Sequence, residues 1–205
     1  MQWPAFDVAM QPVGQAFVSL RAVVTGDVTL GPEVSVWPHV VIRGDVAPIR
    51  IGARTNIQDG SILHCRPGCP LEIGADVVIG HVAVVHCARV GAGALIGIRA
   101  VVLDNAEVGD GAVIAAGAIV TPGTRIPPNV VAMGTPARPV RDVTAAERDY
   151  HAMALNNYLR LARVRLRAAS SDRLTSSPRR RRKTARRTEV PRAACCNSVL
   201  RSGRR

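Results

Sequence analysis

Residues 90–126 read VGAGALIGIRAVVLDNAEVGDGAVIAAGAIVTPGTRI, and they repeat with a period of six. A branched apolar residue opens each hexad, and a small residue follows most of them four positions later. The opening residues are Val90, Ile96, Val102, Val108, Ile114, Val120 and Ile126. A period of six matches neither the 3.6-residue period of a helix nor the two-residue alternation of a long strand. It is typical of short strands joined by tight corners, in which three hexads form one triangular coil of a parallel β-helix.

The same phase extends upstream of this stretch. It runs from Val24 to Ile42, resumes at Ile51 after one insertion and resumes again at Ile73 after a second. We therefore predict an all-β fold in which residues 1–142 form a β-helix domain with an N-terminal lead-in. Stacked coils of such a domain lie about 4.8 Å apart through parallel strand pairing.

A helix is predicted to follow the β-helix. Residues 134–141 read GTPARPVR, and we expect their prolines to stop strand pairing. Thr144 and Glu147 then have the spacing of a capping box. The predicted apolar stripe of the helix comprises Tyr150, Met153, Ala154, Tyr158, Leu161 and Ala162. We predict a helix over residues 143–168 that packs on the β-helix.

The basic charge is concentrated at the end of the chain. The formal net charge is +12, and residues 170–205 hold 12 Lys and Arg against 2 Asp and Glu. The remaining 15 basic and 13 acidic residues leave the body nearly neutral. Residues 169–205 are predicted to be a disordered basic tail because they combine charge of one sign with few apolar residues. A nucleic-acid contact is expected only through this tail, and a solvated extension is favoured because no folded nucleic-acid motif accompanies the charge.

Composition favours a cytoplasmic protein over a secreted or membrane protein. No apolar run approaches the roughly 20 residues of a transmembrane helix, and no basic segment opens the chain as in a secretory signal. Cys65, Cys69 and Cys87 form an odd and sparse set in the body, which is atypical of a disulfide framework.

Three histidines hold related places in the repeat. His64 follows Leu63 and His86 follows Val85, so both take the second position of hexads that lie one coil apart. At that spacing the two imidazoles can share one metal ion. His81 takes the third position of the preceding hexad, on another face, so one chain can hardly bring all three together. A cyclic trimer can join His81 of one subunit to the other two histidines of its neighbour and leave a fourth coordination position open.

Other polar residues share these columns. Arg43 falls in the column of His64 and His86, whereas Asp59 falls in the column of His81 beside Gln58. Across a trimer contact Arg43 would face Asp59, and Gln58 would lie near the open coordination position.

Plainer interpretations remain open for several of these residues. The stacked histidines can form a simple polar ladder, and Arg43 with Asp45 can form an ion pair that stabilises the seam. Cys65 and Cys87 also share a column and are predicted to be bystanders. His39 and His151 are expected to be ordinary surface residues.

Three stretches together resemble the gamma-class carbonic anhydrase family. They are SVWPHVVIRGDV at 35–46, IGARTNIQDGSILH at 51–64 and IGHVAVVHC at 79–87, and the similarity extends over roughly residues 11–165. The resemblance implies a left-handed β-helix that assembles as a homotrimer with Zn²⁺ or Fe²⁺ as cofactor. It implies His64 and His86 as metal ligands from one subunit and His81 as the ligand from the next.

The resemblance also implies an activity, the reversible hydration of CO2 to bicarbonate by a metal-bound hydroxide at the trimer interface. Gln58 would form a hydrogen bond toward the metal-bound water, and Arg43 and Asp59 would act at the interface and the active site. The family's longer acidic loop with a glutamate proton shuttle is missing here. Residues 65–72 read CRPGCPLE and offer only Glu72, so the hydration rate is expected to be low.

Two other functions fit a hexapeptide repeat. An acyl-CoA acyltransferase or thioesterase would need one protruding catalytic histidine and a pantetheine groove between coils. A non-enzymatic scaffold would use the metal only to hold the trimer together, and Gln58 would then be dispensable.

Overall fold

A computed structural model describes residues 9–175 of the chain, with side chains as far as residue 165. The described residues form nineteen short strands followed by one helix. In chain order the strands are β1 (Met10–Val13), β2 (Ala16–Ser19), β3 (Val23–Leu30), β4 (Ser35–Val36), β5 (Val41–Ile51), β6 (Asn56–Ile57), β7 (Ile62–His64), β8 (Leu71–Ile73), β9 (Val78–Ile79), β10 (Val84–His86), β11 (Arg89–Val90), β12 (Leu95–Ile96), β13 (Val101–Val102), β14 (Glu107–Val108), β15 (Val113–Ile114), β16 (Ile119–Val120), β17 (Arg125–Ile126), β18 (Val130–Gly134) and β19 (Ala137–Asp142). The helix is α1 (Ala145–Thr175).

The strands form a three-faced prism. Face 1 has the order β1-β2-β4-β6-β9-β12-β15-β18-β19. Face 2 stacks β7, β10, β13 and β16 on the first half of β5, and face 3 stacks β8, β11, β14 and β17 on its second half. Pairing between coils is parallel, and the predicted left-handed parallel β-helix of hexapeptide repeats with a C-terminal α-helix is confirmed.

The interior of the prism follows the six-residue phase. On face 1, Val36, Ile57, Ile79, Ile96 and Ile114 stand in register on successive coils, and all five are fully buried. The small residues of the repeat are also buried at the corners, at Ala94, Ala100, Ala106, Ala112 and Ala118. Large and small side chains therefore alternate in the narrow triangular interior, an arrangement that favours close packing.

Helix α1 begins at the predicted capping box and packs on face 1. The Thr144 amide donates to Glu147 Oε2 at 2.9 Å, and the Glu147 amide donates back to Thr144 Oγ1 at 3.2 Å. Leu155 and Leu159 pack on Val78, one of the face 1 strand residues. These contacts fix the helix beside the face that carries His81.

Part of the predicted helix stripe was wrong. Tyr150 and Met153 are 64% and 54% exposed, whereas Leu155, Leu159 and Ala162 are buried. Apolar residues occur around much of the helix, so the sequence admits two faces and packing selects one of them.

The C-terminal segments differ from the predicted boundaries. The helix ends at Thr175 rather than at residue 168, because good helix formers such as Ala168, Ala169 and Leu174 continue beyond the predicted stripe. Residues 176–205 of the predicted tail lie outside the described residues. Within the described part of the chain, α1 is too polar to cross a membrane.

The expectation that prolines stop strand pairing was also wrong. Strand β19 pairs antiparallel with β18, and Pro139 stands opposite Ala132 next to a register shift. Because β19 lies at the edge of face 1, the missing N–H of Pro139 need not serve a further strand.

Candidate metal centre

An outward column of polar side chains runs along face 2. Arg43 of β5, His64 of β7 and His86 of β10 stand directly opposite one another in the parallel register. The apolar residues that precede them, Ile42 and Leu63 among them, are fully buried, so the pleat directs the column out of the prism. The column predicted from the hexad phase is therefore present in the fold.

The two imidazoles of this column face each other. His64 Nδ1 lies 3.2 Å from His86 Nε2, and the ring centroids are 5.2 Å apart. The other nitrogen of each ring contacts a carboxylate. His64 Nε2 lies 3.1 Å from Asp45 Oδ1, and His86 Nδ1 lies 2.5 Å from Asp104 Oδ1.

This arrangement fits a bound cation. An ionised carboxylate only accepts hydrogen bonds, so the ring nitrogens that face Asp45 and Asp104 carry the protons. The two nitrogens that face each other then present lone pairs, and such a contact is repulsive unless a positive charge lies between them. Ligands about 2.0–2.1 Å from a tetrahedral zinc stand roughly 3.3 Å apart. The observed separation of 3.2 Å matches this value.

His81 occupies a different part of the prism. It lies in the turn between β9 and β10, with its Nδ1 3.3 Å from Asp59 Oδ2 and its Nε2 3.3 Å from the Tyr158 hydroxyl. Among the described residues, the ring nitrogens of His64, His81 and His86 do not form one cluster. Within one chain the predicted third ligand is therefore separate from the other two, as the hexad phase predicted.

Gln58 lies on the His81 side of the molecule. Its side chain is buried, and it borders a largely apolar groove of about 380 Å³ between face 1 and α1. His81, Tyr158 and Ile98 line the same groove. Gln58 is thus a buried amide at the edge of an apolar space, next to the predicted third ligand.

Arg43 makes a different contact within the chain from the one expected across subunits. Its NH1 lies 2.5 Å from Asp45 Oδ2, whereas Asp59 lies beside His81. Partial burial opposes ionisation of Asp45, but the hydrogen bonds from Arg43 and His64 outweigh it and lower its pKa. Asp45 is therefore charged at neutral pH and joins Arg43 to His64.

The three described cysteines are free and buried. Burial raises the pKa of the Cys87 thiol to about 12. Cys87 Sγ also accepts a hydrogen bond of 2.9 Å from the Arg66 amide. A protonated thiol is a poor metal ligand, which supports the bystander role predicted for Cys65 and Cys87.

Sequence reasoning missed two residues next to this column. Asp104 contacts His86 through one carboxylate oxygen and receives a hydrogen bond of 2.7 Å from Arg66 Nε on the other. The bond from His86 and that from Arg66 lower the pKa of Asp104. Asp104 could have been identified from its place in the repeat, because it lies two residues after Val102 and one coil beyond His86.

The expectation for His151 was wrong in part. His39 is exposed as predicted, but His151, a residue of α1, is half-buried. Its Nε2 is buried without a hydrogen-bond partner, and burial lowers the pKa of the ring. The helical phase that exposes Tyr150 turns His151 toward the prism.

Comparison with known proteins identifies the family of this chain. The sequence model described as bacterial transferase hexapeptide (six repeats) matches residues 87–122. The chain is 49% identical over 144 residues to a carbonic anhydrase of Geobacillus kaustophilus, which covers 70% of this chain and 79% of the relative. It is 55% identical over 130 residues to a probable carbonic anhydrase of Methanocaldococcus jannaschii, covering 63% and 82% respectively.

A solved structure is also similar to this chain. The crystal structure of a putative acetyltransferase from Bacillus cereus superimposes with a TM-score of 0.74 at 40% identity, covering 76% of this chain and 91% of that one. The repeat and the superposition define the class as hexapeptide-repeat β-helix proteins. Within that class the chain belongs to the gamma-carbonic-anhydrase-like family.

Proposed function

We propose that the protein is a metal-dependent carbonic anhydrase that hydrates CO2 reversibly to bicarbonate at the seams of a homotrimer. The observation that carries the proposal is the convergence of the His64 and His86 lone pairs, with carboxylates behind both rings. The names of the relatives from Geobacillus and Methanocaldococcus support the activity.

The proposed metal ligands are His64 and His86 of one subunit and His81 of the next. Three imidazoles would hold Zn²⁺ or Fe²⁺ there, and the bound metal would supply the Lewis acidity that activates water near neutral pH. The chemistry of the donor set supports this choice, since imidazole suits both metals.

The surface of the monomer supports a trimer seam along these residues. Ile62 on face 2 is 44% exposed, and Val82 and Ile98 on the His81 side are 54% and 50% exposed. These apolar side chains flank the two halves of the proposed site, and a neighbouring subunit would cover them.

Face 3 is a poor candidate for the same seam. Its outward residues alternate in sign along the register, and we call them the charge ladder: Arg50, Glu72, Arg89, Glu107 and Arg125. Burying such charges costs more than leaving them in water. We therefore expect face 3 to remain in solvent.

Gln58 and the apolar groove have roles on the substrate side. A groove lined by apolar side chains suits CO2, a small molecule without net polarity. The buried Gln58 amide can donate a hydrogen bond to an oxygen of the substrate or product, and His81 lies beside it. Arg43 and Asp59 complete the proposed seam, Arg43 through Asp45 and Asp59 through His81.

The position of Glu72 supports the expectation of a low hydration rate. Glu72 is exposed on face 3, and Arg89 lies 3.9 Å from its carboxylate, so it cannot relay protons from face 2. We expect proton transfer to limit turnover. The rate should then rise with the concentration of an imidazole buffer, and a rate independent of buffer would contradict this.

The first experiment joins metal content with CO2 hydration on one purified sample. After anaerobic loading with Zn²⁺ or Fe²⁺, we expect about one metal ion per subunit and hydration measurable by stopped flow. Gln58→Ala should keep the metal and lose hydration, whereas Gln15→Ala makes the same chemical change on an exposed turn and should be silent. Absence of bound metal would overturn the proposal.

An acyl-CoA acyltransferase or thioesterase is the second candidate function. The similarity to a putative acetyltransferase from Bacillus cereus favours it. Metal binding without hydration, together with turnover of acetyl-CoA, would establish this candidate instead. A wild-type protein with neither activity, whose metal binding and trimer assembly survive Gln58→Ala, would instead be a non-enzymatic scaffold.

The proposed compartment is the cytoplasm, on the basis of three free cysteines in the described residues.

A further inference from the structure

Asp104 uses both carboxylate oxygens, one toward a histidine and one toward an arginine. Oδ1 lies 2.5 Å from His86 Nδ1, and Oδ2 accepts a hydrogen bond of 2.7 Å from Arg66 Nε. The side chain of Asp104 is only 28% exposed. The carboxylate therefore has little freedom to rotate away from the ring.

The loop that carries Arg66 is anchored at two points beside these residues. Arg66 and Cys69 form an isolated bridge in the segment between β7 and β8. The Arg66 amide donates to Cys87 Sγ at 2.9 Å, and the Cys69 thiol donates to Asn105 Oδ1 at 3.2 Å. The anchors thus fall on the residues that directly follow His86 and Asp104.

The same order of groups occurs on the other side of the imidazole pair. Arg43 contacts Asp45, and Asp45 contacts His64. The two sides together form one chain of contacts: Arg43, Asp45, His64, His86, Asp104 and Arg66. Each imidazole therefore has a carboxylate behind it, and each carboxylate has a guanidinium behind it.

We propose that Asp104, held in place by Arg66, is the positioning residue for His86. The proposal rests on the proposed metal site. A carboxylate that accepts from one ring nitrogen fixes the tautomer and the plane of the ring, and it leaves the other nitrogen free to bind a metal. Asp104 keeps the proton on Nδ1 and directs the Nε2 lone pair of His86 toward His64.

A direct metal contact of Asp104 fits the geometry less well. Ligand atoms of His86, Cys87 and Asp104 lie within 4.8 Å of one another. However, the separation of 2.5 Å between Asp104 Oδ1 and His86 Nδ1 is a hydrogen-bond distance. Two ligands of one tetrahedral metal stand about 3.3 Å apart. Asp104 therefore acts through the ring of His86.

The test compares zinc affinity in full-length variants, by competition with a chromophoric chelator. Asp104→Asn should weaken zinc binding about 10- to 100-fold, the usual cost of losing such a partner. Arg66→Gln should weaken it in the same direction by a smaller factor. Glu107→Gln removes a carboxylate from the same coil, on the charge ladder, and should leave the affinity within about twofold of wild type.

A second readout separates positioning from a general effect on the fold. In Co²⁺-loaded protein, Asp104→Asn should change the visible absorption band of the metal, because the basicity and orientation of His86 change. The thermal unfolding midpoint and the oligomer size should stay as in the Glu107→Gln control. Should Asp104→Asn fail to fold, Arg66→Gln carries the same comparison.

The outcomes separate this inference from the proposed function. Wild-type protein that binds no zinc would overturn both. Wild-type protein that binds zinc, with Asp104→Asn and Arg66→Gln binding it equally tightly, would overturn the positioning role and leave the proposed function intact.

Discussion

Two columns of outward side chains run along the same prism, and their chemistry differs. The charge ladder of face 3 alternates Arg and Glu, and neighbouring members pair at 3.9 Å for Arg89 and Glu72 and at 3.4 Å for Arg125 and Glu107. The face 2 column places His64 and His86 against each other with their lone pairs converging. In the first column Glu72, Arg89, Glu107 and Arg125 find their partners within the column, and Arg50 pairs with Asp27 outside it. In the second, the imidazoles need a further positive partner.

The difference also concerns burial. Arg89 and Arg125 of the charge ladder are 76% and 80% exposed, whereas His64 and His86 are 20% and 27% exposed. Strand register aligns side chains equally well in both columns. The residue types in an aligned column, and the groups that contact them, decide whether the column is a solvated surface or a binding site.

The largest expected effect is that of removing a proposed ligand. His86→Ala should weaken zinc binding more than about 100-fold, since it removes a ligand rather than a supporting carboxylate. Arg89→Ala, three residues along the chain, should leave zinc affinity unchanged. Chelator competition on both variants measures the contrast, and tight zinc binding by His86→Ala would break it.

A smaller effect is expected for the arginine behind the other carboxylate. Arg43→Gln removes the guanidinium that holds Asp45, so zinc affinity should fall by about 10-fold, at the low end for a supporting partner. Arg50→Gln is the matched change on the charge ladder, where Arg50 contacts Asp27 through both carboxylate oxygens. Equal zinc affinity in the two variants would show that Arg43 does not support the metal site through Asp45.

Reversing one charge in the ladder should cost little. Glu107→Arg places three arginines in line and should lower the free energy of unfolding by about 0.5–1 kcal/mol, less at high salt. Urea denaturation at two salt concentrations measures this. A loss of several kcal/mol would mean that the ladder is a buried interface and not a solvated surface.

The smallest effect concerns an exposed pair outside both columns, at the start of α1. Hydrogen bonds from Arg141 and Thr144 lower the pKa of Glu147 from 4.5 to about 2. A carboxyl group whose pKa is lower in the folded state stabilises the fold at pH values above its pKa in the unfolded state. This contribution is lost as the pH falls through the pKa of the folded state. Between pH 4.5 and 2 the melting temperature of wild type should therefore fall more steeply than that of Glu147→Gln. Parallel curves would show that the pair contributes nothing.

Much of the site followed from the repeat, because the hexad phase fixes which residues share a column. Val85 and Leu63 are the buried residues that open their hexads, so the outward positions of His86 and His64 next to them could be predicted. Arg66 could not, because it lies in an insertion that interrupts the phase. The buried face of α1 was predicted only in part, because Tyr150 and Leu155 compete for burial on the same helix and tertiary packing decides between them.

The central claim is that a complete metal site needs two subunits, and mixed trimers test it most directly. Differently tagged His81→Ala and His86→Ala chains are co-expressed, and trimers that contain both tags are isolated. In a cyclic trimer of mixed composition about one seam in three combines an intact His81 with an intact pair of His64 and His86. We predict that the mixed trimers bind metal and hydrate CO2 at about one third of the wild-type level, while each parent trimer does neither. Mixed trimers as inactive and metal-free as their parents would contradict the account.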